Sequence, residues 1–68
     1  MLKVNLFKAK LAELSKTVPE IARVIGVNEA TLYRKMNGSS DFNRNEIQLI
    51  RYALDLTDEE MKNIFFAE

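Results

Sequence analysis

The sequence predicts an all-α fold of five short helices, and three observations predict it. Apolar residues recur at helical spacing throughout, and no segment alternates apolar with polar residues as a half-buried strand does. Three capping boxes punctuate the chain at Thr17-Val-Pro-Glu20, Asn43-Arg-Asn-Glu46 and Thr57-Asp-Glu-Glu60. Gly26 and Asn37-Gly38 then supply stop signals of the kind that close helices.

The first helix is expected over about Leu6 to Leu14, capped by Asn5, with Leu6, Phe7, Leu11 and Leu14 on its inner side. Ser15 and Lys16 interrupt the pattern. Thr17 opens the second helix, with Pro19 in the first turn, where a missing N–H costs nothing. Ile21, Ala22 and Ile25 form its inner stripe, and Gly26 ends it. Asn28 caps a third helix over about Glu29 to Met36, stopped by Asn37-Gly38; Ser39 to Phe42 form a loop. Asn43 opens the fourth helix, with Ile47, Ile50 and Leu54 inward and Leu49 and Ala53 beside them. Asp55-Leu56 turns the chain into a short fifth helix with Met61, Ile64 and Phe65 on one side.

Sixty-eight residues make one small domain, expected to span 1–68, without linker or repeat. A 47% hydrophobic fraction suffices for a packed core. Without Cys or His there are no disulfides, no zinc-finger ligand set and almost no route to nucleophile–histidine chemistry. No Gly-rich phosphate loop is present either, so no enzyme, cofactor or metal is expected. Asp58, Glu59 and Glu60 read as capping and dipole acids rather than metal ligands. No apolar run reaches the roughly 18 residues of a membrane span, and the N-terminus is too charged for a signal peptide. A mature cytoplasmic chain, with no membrane partner, is the expectation.

Charge is zero overall yet divided. Residues 1–38 carry seven cations against three carboxylates, a net +4, and residues 39–68 carry the reverse, a net −4. Such asymmetry suits a protein that turns one face to a polyanion.

The stretch Thr17 to Gly38 concentrates the remaining signal. Two helices cross steeply only where contact residues are small and the turn is tight; Ala22 and, four residues on, Gly26 meet both conditions. Val27, Leu32 and Met36 then face Ile21 and Ile25. The 3.6-residue period turns Glu29, Ala30, Tyr33, Arg34 and Asn37 to the opposite side.

This stretch resembles the helix–turn–helix of the phage repressor and Cro family, also called XRE-like, through Thr17, Ile21, Ala22, Ile25, Gly26, Val27, Leu32, Arg34 and Asn37-Gly38. The five-helix layout extends the resemblance to nearly the whole chain. The resemblance implies a compact, lambda-repressor-like DNA-binding domain that binds short inverted repeats in double-stranded DNA as a dimer and represses transcription. It also implies that the start of the second helix touches phosphate and that the third helix, in the major groove, reads bases. Two positions depart from the family pattern. Val18 stands where a glutamine commonly contacts the backbone, with Pro19 lacking an N–H beside it, so Lys16 and Thr17 must substitute. Lys35 stands where relatives carry an aliphatic residue; its stem is expected along the core edge, with the ammonium reaching solvent or phosphate.

Candidate base readers are therefore Glu29, Ala30, Tyr33 and Arg34. Arg34 can bond guanine O6 and N7 together, or be a solvated surface residue. Tyr33 can meet a phosphate or thymine methyl, or cover the core edge. Glu29 can accept from cytosine N4, or serve only the helix dipole. Ala30 can touch a thymine methyl or simply be small. Candidate phosphate contacts are Lys16, Thr17, Asn28, Lys35, Asn37, Ser39 and Asn43, with Ser40 nearby. Adjacent Phe65 and Phe66 cannot both face inward, so one finishes the core and the other is covered by a twofold-related copy or lies exposed at a frayed end. The competing function is a protein-interaction module, such as an antitoxin or a partner of a companion repressor.

Overall fold

All three sequence-legible capping boxes form in the computed structural model, which describes residues 2–66. Met1, Ala67 and Glu68, the ends of the expected 1–68 domain, lie outside the described residues. The chain folds as α1 (Val4–Glu13), α2 (Val18–Ile25), α3 (Glu29–Met36), α4 (Arg44–Leu54) and α5 (Asp58–Met61), continued by a π-helical turn, Lys62–Phe66. No strand occurs among the described residues. The Cα radius of gyration, 10.7 Å, matches the roughly 11 Å expected of a close-packed domain this long. No helix among the described residues is long and apolar enough to cross a membrane.

Helix starts follow their caps. Thr17, Asn43 and Thr57 each accept from the N–H three residues on, and Glu20, Glu46 and Glu60 each return a carboxylate to the cap's N–H. Asn28 accepts from the Thr31 N–H at 2.8 Å and opens α3. The first helix departs from the sequence reading: it begins at Val4, two residues early, and Asn5 lies inside it. Its N-cap is Lys3, with no side-chain cap. The tertiary structure supplies the anchor instead, because Leu2 is buried and the Lys3 N–H donates to the Ile64 carbonyl at 2.7 Å.

All four longer helices end in the same closure, an N–H reaching back five residues to a carbonyl with a left-handed residue between. The pairs are Lys16 to Leu11, Val27 to Ala22, Ser39 to Arg34 and Leu56 to Arg51, at 2.8–3.0 Å. The left-handed residues are Ser15 (φ +55°), Gly26 (+76°), Gly38 (+87°) and Asp55 (+50°). Two of the four sharp turns are thus made without glycine.

Phe7, Ile21, Leu32, Met36, Ile50 and Leu54 are the largest fully buried side chains. α2 is central, packed on α4 and α3, while α1 rests on the C-terminal turn. Leu6 and Leu14, expected inward, are exposed; α1 buries only Phe7 and Leu11, and Leu2 takes up the remaining space. Phe65 is buried, edge-on to Phe42 at 5.7 Å, and Phe66 projects outward, 61% exposed.

Lys10 makes two ion pairs, one within its own helix and one to a distant part of the chain. Lys10 donates to Glu13 at 2.8 Å and to Glu60 at 2.6 Å, tying α1 to α5. Its hydrogen bonds to Glu13 and then to Glu60 raise the Lys10 ammonium above its ordinary pKa. The Lys10 hydrogen bond, then the Thr57 N–H, lower the Glu60 carboxyl below its own.

Candidate nucleic-acid interface

The candidate surface is built on the turn at Gly26. Its left-handed backbone lets the Val27 N–H close on the Ala22 carbonyl at 3.0 Å, so only three residues separate α2 from α3. Ala22, 2% exposed, keeps the crossing tight. Leu32 and Met36 bury the inner side of α3 with Ile21 and Ile25, and Val27 packs against this cluster. Burying that side obliges the opposite one to face outward.

Glu29, Ala30, Tyr33 and Arg34 are all exposed, and Asn37 is exposed just past the helix end. The four candidate base readers thus lie in one solvent-facing strip. Tyr33 is 44% exposed, too open to be a core-edge cover alone. The Arg34 guanidinium lies 3.3 Å from the Thr31 hydroxyl, one helical turn back, which orients it along the outside of the helix. Thr31 went unnoticed in the sequence, although its i, i+3 relation to Arg34 was available there.

The candidate phosphate contacts divide into free and occupied groups. The Lys16 side chain is exposed and makes no ion pair among the described residues. Asn28 uses its carbonyl oxygen to cap α3 and keeps its amide N–H₂. The Ser39 and Ser40 N–H groups both donate to the Arg34 carbonyl, at 2.9 and 3.3 Å, leaving two exposed hydroxyls. Asn43 spends its carbonyl oxygen on the Glu46 N–H at 2.8 Å and is exposed. Thr17 is occupied at both ends: its N–H donates to Glu20 Oε1 at 3.1 Å, and its hydroxyl bonds the same residue. Glu20 therefore holds a carboxylate where a phosphate would approach the start of α2.

Lys35 requires a correction. Its side chain is only 12% exposed, and its ammonium lies 3.0 Å from Glu46 Oε1 and donates to the Asp41 carbonyl at 2.9 Å. It also lies 5.9 Å from the centre of the Phe42 ring. The ammonium is turned inward rather than toward solvent, because a buried carboxylate attracts it more strongly than a screened surface site. Glu46, 6% exposed, is the one buried charged residue among those described. In sequence it looked like a capping acid; its ion pair eleven residues away carried no local signal.

Spatial pairing also tempers the division of charge along the chain. Lys10 and Lys35, two of the seven cations in residues 1–38, are matched by Glu60 and Glu46 from the other half. Arg44, exposed in the first turn of α4 beside Asn43, adds a cation near the loop that sequence reading passed over. A cation at a helix start, where the dipole disfavours it, was the available hint.

No protein-family model, curated protein or solved structure matches this chain.

Proposed function

We propose that this chain is a sequence-specific double-stranded DNA-binding regulator of transcription, related in design to the phage repressor and Cro family. In this reading α2, the Gly26 turn and α3 are its helix–turn–helix. The observation that carries it is the outer strip of α3, where Glu29, Ala30, Tyr33 and Arg34 stand exposed over a fully buried inner side. An eight-residue helix laid in a major groove offers three or four base contacts of this kind. Arg34 is the main reader, aimed by Thr31, and Tyr33 reads beside it. Glu29 is charged against phosphate and contributes mainly to the helix dipole.

Phosphate contact falls to Lys16, the Asn28 amide, Asn37, Ser39, Ser40, Asn43 and Arg44. Thr17 is a weak member and Lys35 is not one. With so few free cations, each chain neutralises roughly two phosphates, for a slope near −2 in log affinity against log salt. Two copies on an inverted repeat double the base contacts. Exposed Phe66, on a groove of about 430 Å³ with Leu2, Phe42, Ile47 and Phe65 on its apolar side and Lys35 and Asp41 on its polar side, is the surface that would join them.

The test is selection of duplexes from a random library, followed by anisotropy titrations with native protein and Arg34→Ala. The expected result is a selected consensus and a loss of about 1–3 kcal/mol for the variant on that consensus alone. Absence of duplex binding at low salt refutes the reading. Equal loss on selected and random duplexes makes Arg34 a phosphate contact.

A second reading, an interaction module for a companion repressor or an antitoxin, is favoured by two observations. Glu20 fills the start of α2 with negative charge, and Tyr52, 80% exposed on α4, has no role in DNA contact. A stoichiometric protein complex that survives high salt, with no duplex binding, selects this alternative.

A further inference from the structure

The Lys35–Glu46 pair has no evident purpose as a source of stability. A buried ion pair gains little over two well-packed apolar residues, since desolvation offsets the attraction. Its geometry is more telling. The Glu46 carboxylate holds the Asn43 N–H at 2.9 Å and the Lys35 ammonium at 3.0 Å, joining the last turn of α3 to the first of α4. Lys35 also takes the Asp41 carbonyl, in the middle of the intervening loop. Gly38, Ser39, Ser40 and Asp41 are otherwise exposed, and Phe42 is the loop's one partly buried apolar anchor. Successive helical residues point about 100° apart, so the turn that sends Lys35 inward sets the direction of Arg34 outward.

We propose that the buried Lys35–Glu46 pair is a positioning clamp. It fixes the loop carrying Ser39, Ser40 and Asn43 against the base-facing strip of α3, and it sets sequence discrimination more than overall affinity. The inference rests on the DNA-binding reading above. Phosphate contacts from the loop give the register of the protein on the duplex. Base contacts from Arg34 and Tyr33 pay off in discrimination only in that register. A loosened clamp leaves the phosphate contacts able to form but uncouples them from the base contacts.

Two variants test it. Glu46→Gln keeps an oxygen for the Asn43 cap and removes the charge; Lys35→Met keeps the apolar stem and removes the ammonium. Both are compared with native protein on the selected duplex and on random duplex, at a temperature where circular dichroism shows them folded. The clamp predicts about a tenfold fall in the ratio of selected to random affinity, the size of one lost base contact. It also predicts that Lys35→Met leaves random-duplex affinity and its salt slope unchanged. Faster amide exchange at Ser39 and Ser40 in both variants is expected as well, since those N–H groups report the loop's hold on the Arg34 carbonyl.

A lowered melting temperature with an unaltered affinity ratio overturns the clamp and leaves a merely structural pair. Equal weakening on both duplexes by Lys35→Met, with a salt slope shallower by about 0.9, also overturns it by making Lys35 a phosphate contact. If native protein binds no duplex, the DNA reading and the discrimination claim fall together. Native binding with an unchanged ratio sinks the clamp alone.

Discussion

Replacing Gly26 with alanine isolates the conformational demand of the turn between α2 and α3. The residue sits at φ +76°, where an L side chain crowds its own backbone at about 1–2 kcal/mol. A Cβ built there meets nothing within 4 Å, so no clash adds to that figure. The expected destabilisation is therefore about 1–2 kcal/mol, against roughly 3–10 kcal/mol for a domain of this length. Thermal and urea unfolding followed by circular dichroism measure it, and about 1 kcal/mol corresponds to a shift of roughly 4–8 °C. Gly26→Asn should lose less, because asparagine tolerates the left-handed region. Ser15 and Asp55 occupy the same position in equivalent closures, at φ +55° and +50°, and supply the reverse experiment. Ser15→Gly relieves backbone strain but adds unfolded-state freedom, for a net gain of roughly 0–1 kcal/mol. Asp55→Gly should be close to neutral, aspartate being the better tolerated of the two. A loss of about 4 kcal/mol or more for Gly26→Ala refutes the open-space reasoning. No loss at all shows that the turn relaxes out of its left-handed conformation.

The other expectations follow from particular contacts. Leu32→Ala empties a fully buried site and should cost about 2–5 kcal/mol, enough to leave much of the population unfolded at 37 °C in a melting experiment. The cluster of Lys10 with Glu13 and Glu60 carries a double pH signature. Glu60, lowered by Lys10, adds stability present above the ordinary glutamate pKa near 4.5 and lost as pH falls through its folded value; Lys10, raised, adds stability lost as pH climbs beyond 10.5. Lys10→Met should flatten both flanks of a melting-temperature profile against pH, and an unaltered acid flank would contradict the assignment. Phe66→Ser, at an exposed site, should leave the melting temperature of dilute protein within about 3 °C while reducing any dimer seen by sedimentation equilibrium. A large stability loss in dilute protein would show that Phe66 serves the core.

Much of this protein could be read along the chain because its signals are local. Thr17 with Glu20, Asn43 with Glu46 and Thr57 with Glu60 lie three residues apart, so hydrogen bonds within a single turn start those helices wherever they end up. Gly26 and the 3.6-residue period likewise separated Leu32 and Met36 from Tyr33 and Arg34 before any packing was known. What escaped depends on neighbours brought together from afar. Asn5 resembled a cap, yet α1 begins at Val4 because Leu2 and the Lys3–Ile64 hydrogen bond pin the chain start against its end. Leu6 and Leu14 fit the apolar period, but whether a helix position is covered depends on which surfaces surround it, and none covers these. Lys35 showed the same dependence. Its sequence neighbours suggested an ammonium free for phosphate, and only the packing of α3 against the start of α4 offered it a buried carboxylate. The sequence by itself determined the all-helical class, four of the five helix starts and the outward strip of α3, since each rests on interactions within one or two turns. The tertiary structure alone decided which charges remain free, because ion pairing across eleven or fifty residues is a property of how the helices pack.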